Sequence, residues 1–135
     1  MSKPVLIVVF IFILSSLGFS QSKTAPPKVK KDIRGVWGLV EKPTDSVNGG
    51  SRLKFIMDGR WSLTQSDSVS HVTLYHHGGS YTLTDSSYSE NIDYANSSTA
   101  SYIGTNANFS LRLEGDILYL TGIGNPWNEI WKRLH

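Results

Sequence analysis

The sequence contains no cysteine. This absence excludes disulfides, thiolate metal sites and cysteine nucleophiles, and also a lipid-anchored export signal, which needs a cysteine at its cleavage point. The chain also lacks a strong excess of charge, because 13 Lys and Arg residues stand against 11 Asp and Glu residues. A net charge of +2 gives no indication of a polyanionic partner, so we expect no nucleic-acid binding. Stability must come from a packed core alone.

The first 20 residues have the layout of a secretory signal peptide. Lys3 supplies a positive start, residues 5–14 are an unbroken apolar run, and Gly18 and Ser20 are small residues near the expected cleavage point. The apolar run is too short to cross a bilayer, which takes about 20 residues. We therefore predict cleavage after Ser20 and an exported, soluble protein, periplasmic or secreted, with no membrane span after cleavage.

Residues 21–33 contain two prolines and four lysines and little to bury. This composition predicts a tether between the signal peptide and the fold. The remaining length suits one domain. The predicted organisation is thus a signal peptide over residues 1–20, a linker over 21–33 and a single folded domain over 34–135.

From Gly35 onward the chain shows no helical spacing, while apolar and polar residues alternate in short runs separated by turn residues. Asp58-Gly59 and Gly115-Asp116 each predict a tight turn between two strands. About eight strands with one apolar face each cannot remain an open sheet, since that face must be buried. We therefore predict an all-β fold, an antiparallel up-and-down β-barrel of about eight strands.

The alternation also predicts which side chains face outward. In the run before Asp58, we expect Leu53, Phe55 and Met57 to form the apolar face, with the basic residues between them on the outside. By the same rule, the outward-facing arginines are Arg52, Arg60 and Arg112.

The ends of the predicted domain carry related motifs, "RGVWGLVE" and "NEIWKRLH". In a closed meander the first and last strands are neighbours, so Trp37 should meet Trp131 and Arg133. A buried Trp contributes at most about 5 kcal/mol by area, and an Arg over its ring adds roughly 0.5–2 kcal/mol. We therefore expect Gly35, Trp37, Trp131 and Arg133 to form a structural lock at one end of the barrel.

An early Gly-x-Trp with an Arg on the last strand resembles the lipocalin and calycin group of ligand-binding barrels. The stretches "GGSYTLTDSSYSENIDYA", "IGTNANFSLRLEGD" and "EIWKR", in that order, are similar to short exported bacterial lipocalin-like domains of unassigned function. The resemblance covers residues 34–134. It implies an antiparallel barrel with a central cavity, and it implies no particular substrate.

Glu90 is the most informative polar residue. In "SYSENIDYA" the serine, asparagine and aspartate residues mark the wet face, so Tyr88, Glu90, Ile92 and Tyr94 should point inward. A buried carboxylate needs a cation or hydroxyl donors, and we predict a contact with Arg133, direct or through a tyrosine hydroxyl. The pair either only closes the barrel, orients a ligand or takes part in proton transfer. The predicted ligand-binding residues are Glu90, Tyr81, Tyr88, Tyr94, Trp61, Phe55 and Arg133.

Two further motifs contain side chains that could bind a metal or a ligand. His76 and His77 in "HHGG" should point to opposite faces of a strand and have no carboxylate at a chelating spacing, so we expect a solvated loop and no metal or cofactor site. Trp127 follows Pro126 in a turn, where it marks either the rim of a binding site or a cover over the barrel end.

These observations leave three functions open. The first is a non-enzymatic barrel that binds a small, largely apolar ligand in its interior. The second is a protein-interaction module with a filled core. Its loops, which include Trp127 and residues 42–51, would bind another envelope protein or inhibit an enzyme. The third is a calycin-type enzyme, which requires a second polar group facing Glu90 inside the barrel.

Overall fold

The computed structural model describes residues 31–135, and these form nine strands and one 3₁₀ helix. The predicted signal peptide and nearly all of the predicted linker lie outside the described residues. The elements are β1 Gly35–Val40, β2 Leu53–Ile56, β3 Arg60–Ser66, β4 Thr73–Leu83, β5 Ser87–Asn91, β6 Tyr94–Ala95, the 3₁₀ helix Ser97–Tyr102, β7 Asn106–Glu114, β8 Ile117–Gly122 and β9 Asn128–Arg133.

Every strand pairs antiparallel with its neighbours, and eight of them close into a ring. The sheet order is β3-β2-β1-β9-β8-β7-β5-β4, and pairing of β3 with β4 joins its two ends. The short β6 is an extra strand that pairs with β4. A closed ring leaves no long exposed strand edge that could pair with another chain. The predicted fold class, an antiparallel barrel of about eight strands, is confirmed.

The β2–β3 hairpin turns at Asp58-Gly59, as predicted, with Gly59 at φ 70°. Its register pairs Ile56 with Trp61 and Lys54 with Leu63. Directly opposed residues in an antiparallel pair share one face of the sheet, so the two side chains that join Trp61 and Leu63 inside the barrel are those of Ile56 and Lys54.

The predicted outer and inner faces of β2 are therefore wrong. Lys54 is only 1% exposed, whereas Met57 is 54% exposed and Phe55 is outside the core. Arg52, two residues before Lys54, also turns toward the barrel interior and lines a cavity there. The outward assignment is correct for Arg60 and Arg112, which lie exposed.

The "HHGG" segment is part of the long strand β4, and the expectation of a solvated loop is wrong. Its two glycines are required because the chain after β5 passes close over β4. A Cβ at Gly78 would collide with the ring of Tyr94, and one at Gly79 would collide with the Asn91 carbonyl. Small residues here let two backbone segments approach, as glycine within a strand often indicates.

One end of the barrel is closed by the contact between β1 and β9. Trp37 is opposite Arg133 in the strand register, and the Arg133 guanidinium carbon lies 4.2 Å from the centre of the Trp37 ring. Arg133 also donates to the backbone carbonyls of Arg34 and Asp32. Gly35 is at φ 141°, and a Cβ there would collide with the His135 carbonyl. These contacts account for the related motifs at the two ends of the predicted domain.

Ile33 belongs to the core, although its sequence context placed it in the linker. It is 1% exposed, and its carbonyl accepts a 2.8 Å hydrogen bond from the Trp37 indole nitrogen. The packed part of the chain therefore includes at least one residue before 34. The composition of the segment hid this, because a single isoleucine among lysines and prolines gives no periodic signal.

Large side chains fill the closed half of the barrel. The fully buried residues include three tryptophans, one tyrosine and several aliphatic residues, namely Trp37, Trp61, Trp131, Tyr88, Ile33, Ile56 and Leu118. The Tyr88 ring stacks on the Phe109 ring, with ring centres 6.3 Å apart. The Tyr81 ring also packs on Tyr88, with ring centres 5.4 Å apart. This packed half supports the open half, where space remains.

We predict that Ile33→Ala lowers the free energy of unfolding by about 2–4 kcal/mol, because it removes a fully buried aliphatic side chain from the closed end. Urea denaturation measures the loss. Val69→Ala is the control, since Val69 is 85% exposed and its truncation should change stability by less than about 0.5 kcal/mol. Equal, small effects of both substitutions would contradict a core role for Ile33.

Candidate functional site

The barrel holds a cavity of about 280 Å³ in the half opposite the Trp37–Arg133 closure. Its deep part is lined by residues of β2, β3, β5 and β7, and its outer part by the 3₁₀ helix and the β8–β9 connection. The volume is just below the usual range for small-molecule sites, about 300–1,000 Å³. The cavity therefore suits a small organic molecule.

Three charged side chains form a cluster at the floor of this cavity. The Lys54 ammonium lies 2.7 Å from Glu90 Oε1 and 3.4 Å from Glu129 Oε2. Glu129 Oε2 also accepts a 2.8 Å hydrogen bond from the Trp131 indole nitrogen. We call Lys54, Glu90 and Glu129 the ion cluster. Removing charges from water is costly, and the attraction between Lys54 and the two carboxylates opposes that cost.

Aromatic rings surround the ammonium of Lys54. The distances from Nζ to the ring centres are 4.7 Å for Trp131, 5.4 Å for Trp61, 5.8 Å for Tyr88 and 5.8 Å for Phe109. A cation within about 6 Å of an aromatic face is attracted by the electron density of the ring. The rings therefore add to the attraction of the two carboxylates and also shield the ammonium from water.

The electrostatics of the ion cluster keep Lys54 charged. Burial alone would lower the pKa of Lys54, but the charges and hydrogen bonds of Glu129 and Glu90 together raise that pKa above its ordinary value. Burial raises the pKa of Glu90, and Lys54 only partly opposes this effect. Burial and then the charge of Glu90 raise the pKa of Tyr88, so its hydroxyl stays protonated at neutral pH.

His77 lies on the cavity wall above the ion cluster. Burial, followed by the positive charges of Lys54 and Arg52, lowers the pKa of His77 to about 4. The imidazole is therefore neutral at physiological pH. Its Nδ1 is buried and has no hydrogen-bond partner within residues 31–135.

A continuous series of aromatic rings leads from the floor of the cavity to its mouth. The Trp61 ring meets His77 edge-on at 5.5 Å, His77 meets Tyr102 at 5.7 Å, and Tyr102 meets Trp127 at 6.1 Å. We call these four side chains the ring wall. Trp127 and Tyr102 are each 38% exposed, so they form the rim. Trp127 therefore lies at the mouth of the cavity, a position that agrees with both expectations, the rim of a site and a cover over the barrel end.

The arrangement can hold a polar group at the floor and an apolar body against the ring wall. Lys54 is an ammonium ion at neutral pH, so it is neither a base nor a nucleophile in this state. The carboxylates of Glu90 and Glu129 can accept hydrogen bonds or a proton, and the neutral His77 ring has one acceptor nitrogen. Arg52 is the other cation on the wall, with its guanidinium carbon 5.6 Å from the centre of the Tyr75 ring.

The predicted contact between Glu90 and Arg133 is wrong. Glu90 points inward as expected and is 4% exposed, but its partner is Lys54. Arg133 lies at the closed end, where it covers Trp37 and forms a 3.4 Å ion pair with Asp116. Glu129, four residues before Arg133 on the same inward face of β9, lies at the level of Glu90 instead.

The other predicted ligand-binding residues divide into three groups. Trp61 lines the cavity together with Glu90. Tyr88 is buried beside the ion cluster, and Tyr81 packs on Tyr88 toward the closed end. Tyr94 and Phe55 are not where the alternation placed them. Tyr94 is 37% exposed, since the chain turns after Asn91 and interrupts the period of two.

Sequence reasoning missed Lys54, Glu129 and His77 as site residues. The signal for Lys54 was present, because Trp61 was predicted to be inward and a two-residue turn at Asp58-Gly59 places Ile56 opposite it. Counting back two residues then gives Lys54. Glu129 could have been found by the same step from Trp131. His77 was hidden by the two glycines that follow it, which resemble a loop signal.

Comparisons with known proteins do not assign this chain to a family. No protein-family model matches the sequence, and a search of the curated proteins finds no match. The fold is an all-antiparallel, closed eight-stranded barrel, consistent with a calycin-like architecture. Within residues 31–135, no helix has the length and apolarity needed to cross a bilayer. The same residues contain no group of three or more His, Asp or Glu side chains placed to hold a metal ion.

We predict that Lys54→Met lowers the free energy of unfolding by about 3–5 kcal/mol, because it leaves two buried carboxylates without their cation. Chemical denaturation measures the change. Adding Glu90→Gln and Glu129→Gln to the same variant should restore part of the loss, since the unpaired charges are then removed.

Lys42→Met is the matched control, since Lys42 is exposed and has no ion pair within the described part of the chain. It should change stability by less than about 0.5 kcal/mol. A Lys54→Met variant as stable as this control would show that the ion cluster does not hold the core together.

We also predict that His77→Gln reduces the loss of stability on acidification between about pH 6.5 and pH 4. The folded-state pKa of His77 is about 4, below its ordinary value of 6.5, so the unfolded chain binds the proton first as pH falls. The contribution of His77 is therefore complete above pH 6.5 and decreases as pH falls toward 4. Denaturation curves at several pH values measure it.

The raised pKa of Glu90 makes the folded state more stable as pH falls, which opposes the effect of His77. The quantity to compare is therefore the difference in unfolding free energy between the His77→Gln variant and the parent at each pH. His135→Gln provides the control, because His135 is exposed at the closed end. Parallel pH profiles for the parent and the His77 variant would contradict the assignment.

Proposed function

We propose that this chain is a non-enzymatic β-barrel that binds a small organic molecule with an apolar body and a polar end. The observation that carries the proposal is the cavity of about 280 Å³, whose floor is an ion cluster and whose side is a wall of aromatic rings. Ligand sites are typically concave, mostly apolar and supplied with a few placed polar groups. The finer proposals are a lipocalin-like relationship and export after removal of residues 1–20.

The division of the barrel into two halves supports binding. Toward the closed end the barrel interior is filled by side chains such as those of Trp37, Tyr88 and Leu118, which are fully buried. The cavity, in contrast, is lined by charged side chains that can orient the polar end of a ligand. Arg52, Lys54, Glu90 and Glu129 all line it. A ligand that completes hydrogen bonds there stabilises the folded state.

The rim residues also bear on the second candidate, a protein-interaction module. Trp127 and Tyr102 are partly exposed next to the connections at the open end. Both side chains line the cavity, however, so the same observation is accounted for by a ligand site. Binding in the cavity therefore explains more of the structure than a loop interface does.

The test is native mass spectrometry of the protein purified without denaturation from several hosts and media. We expect extra mass that disappears on denaturation. Ala107→Met should abolish it, because Ala107 is 2% exposed and lines the cavity, so the longer side chain fills the space. Ser110→Met adds the same side chain at an exposed position of the same strand and should leave the adduct unchanged.

A bare mass from every source, with no binding of small amphipathic probes by calorimetry, would overturn the proposal. An adduct that persists in Ala107→Met would place the bound molecule outside the cavity. That result would favour the loop surface instead.

A further inference from the structure

The chemical class of the ligand follows from which charges of the ion cluster are hidden and which are accessible. This inference rests on the proposed binding function. The Lys54 side chain is 1% exposed, while the exposed fractions are 5% for Glu90 and 14% for Glu129. The cluster contains two carboxylates and one ammonium. A molecule in the cavity therefore meets carboxylate oxygen before it meets the cation.

Two of the three N–H donors of the Lys54 ammonium already have carboxylate partners. Lys54 Nζ donates to Glu90 and Glu129, and four aromatic rings lie within 5.8 Å of it. An anionic ligand group would have to displace a carboxylate to reach it. The exchange of one carboxylate for another brings little gain, because the displaced Glu would lose its partner.

Glu129 has unused acceptor capacity. Its Oε2 accepts from Lys54 and from the Trp131 indole, whereas its Oε1 has no hydrogen-bond partner within residues 31–135. An ionised carboxylate has about four acceptor positions, so a further donor can be added without breaking an existing bond. Glu129 also lines the cavity, at the side of Trp127.

The other charged groups around the cavity define the alternatives. His77 is neutral near pH 7 and adds no positive charge. Arg52 is positive, but its Nε donates to Gln65 Oε1 at 3.2 Å and its guanidinium faces the Tyr75 ring. It is the group most able to attract an anionic ligand, so the experiment must compare both signs of charge.

We propose that the cavity binds a small arylalkyl amine, with its ammonium on the Glu129 carboxylate and its ring along the ring wall. The ammonium donates to the free Glu129 oxygen, and the aromatic body packs against Trp61, Tyr102 and Trp127. Aromatic side chains beside a carboxylate favour an organic cation in two ways, through the charge and through the ring faces.

Isothermal titration calorimetry with three matched probes tests the proposal. The probes are 2-phenylethylamine, 2-phenylethanol and 3-phenylpropionate, which share a ring and differ in the charge of the polar end. We expect the amine to bind at least about tenfold more tightly than the alcohol, as a charge-assisted bond predicts, and the carboxylate to bind most weakly.

Two variants locate the ammonium. Glu129→Gln keeps an acceptor for the Trp131 indole and should weaken the amine about tenfold while changing the alcohol less than about threefold. Binding of the alcohol thus reports that the variant is folded. Glu41→Gln removes an exposed carboxylate outside the cavity and should change neither affinity.

Tighter binding of 3-phenylpropionate would overturn the amine assignment and direct attention to Arg52. Equal affinity for amine and alcohol, with both abolished by Ala107→Met, would leave the proposed binding function intact and reject only the ligand class. No binding of any probe, together with a bare native mass, would reject the binding function and the amine assignment together.

Discussion

The structure depends on the neutralisation of Lys54 inside the barrel. Five strands contribute to it, because Lys54 comes from β2, Glu90 from β5, Glu129 from β9, and the rings around the ammonium from β3, β5, β7 and β9. Each charged member would destabilise the fold if it were buried alone. The cluster thus fixes the register of the strands that supply it, since a slip by one residue would turn a charge outward and an apolar side chain with it.

The two ends of the barrel interior differ, because one is filled by side chains and the other contains a cavity. At the closed end, tryptophan, tyrosine and aliphatic side chains occupy the space, and Arg133 seals it over Trp37. At the open end, shorter side chains such as Ala107 and Thr99 leave room between aromatic walls. An eight-stranded barrel is just wide enough to be filled by its own residues, so a cavity requires small residues at particular levels. The ion cluster, which forms the floor of the cavity, therefore lies between the filled end and the open end of the barrel.

Much of the fold could be predicted because strand alternation and turn residues are local signals. The turn at Asp58-Gly59, the closure of β1 on β9 and the inward position of Glu90 all follow from spacing. The partner of Glu90 did not follow, because Lys54 was placed outward by its apolar neighbours Phe55 and Met57, whereas the hairpin register turns it inward. The size of the cavity could not be predicted, since a lined cavity and a packed core use the same residue types.

Pairing of β1 with β9 also affects how the chain can fold. The two strands that complete the ring are Gly35–Val40 and Asn128–Arg133, so the contacts between them span nearly the whole described sequence. A ribosome has to release the last strand before the ring can close, and until then two strand edges remain unpaired. Such non-local closure favours slow folding. A chain of this topology therefore completes its barrel only after its last strand has been synthesised.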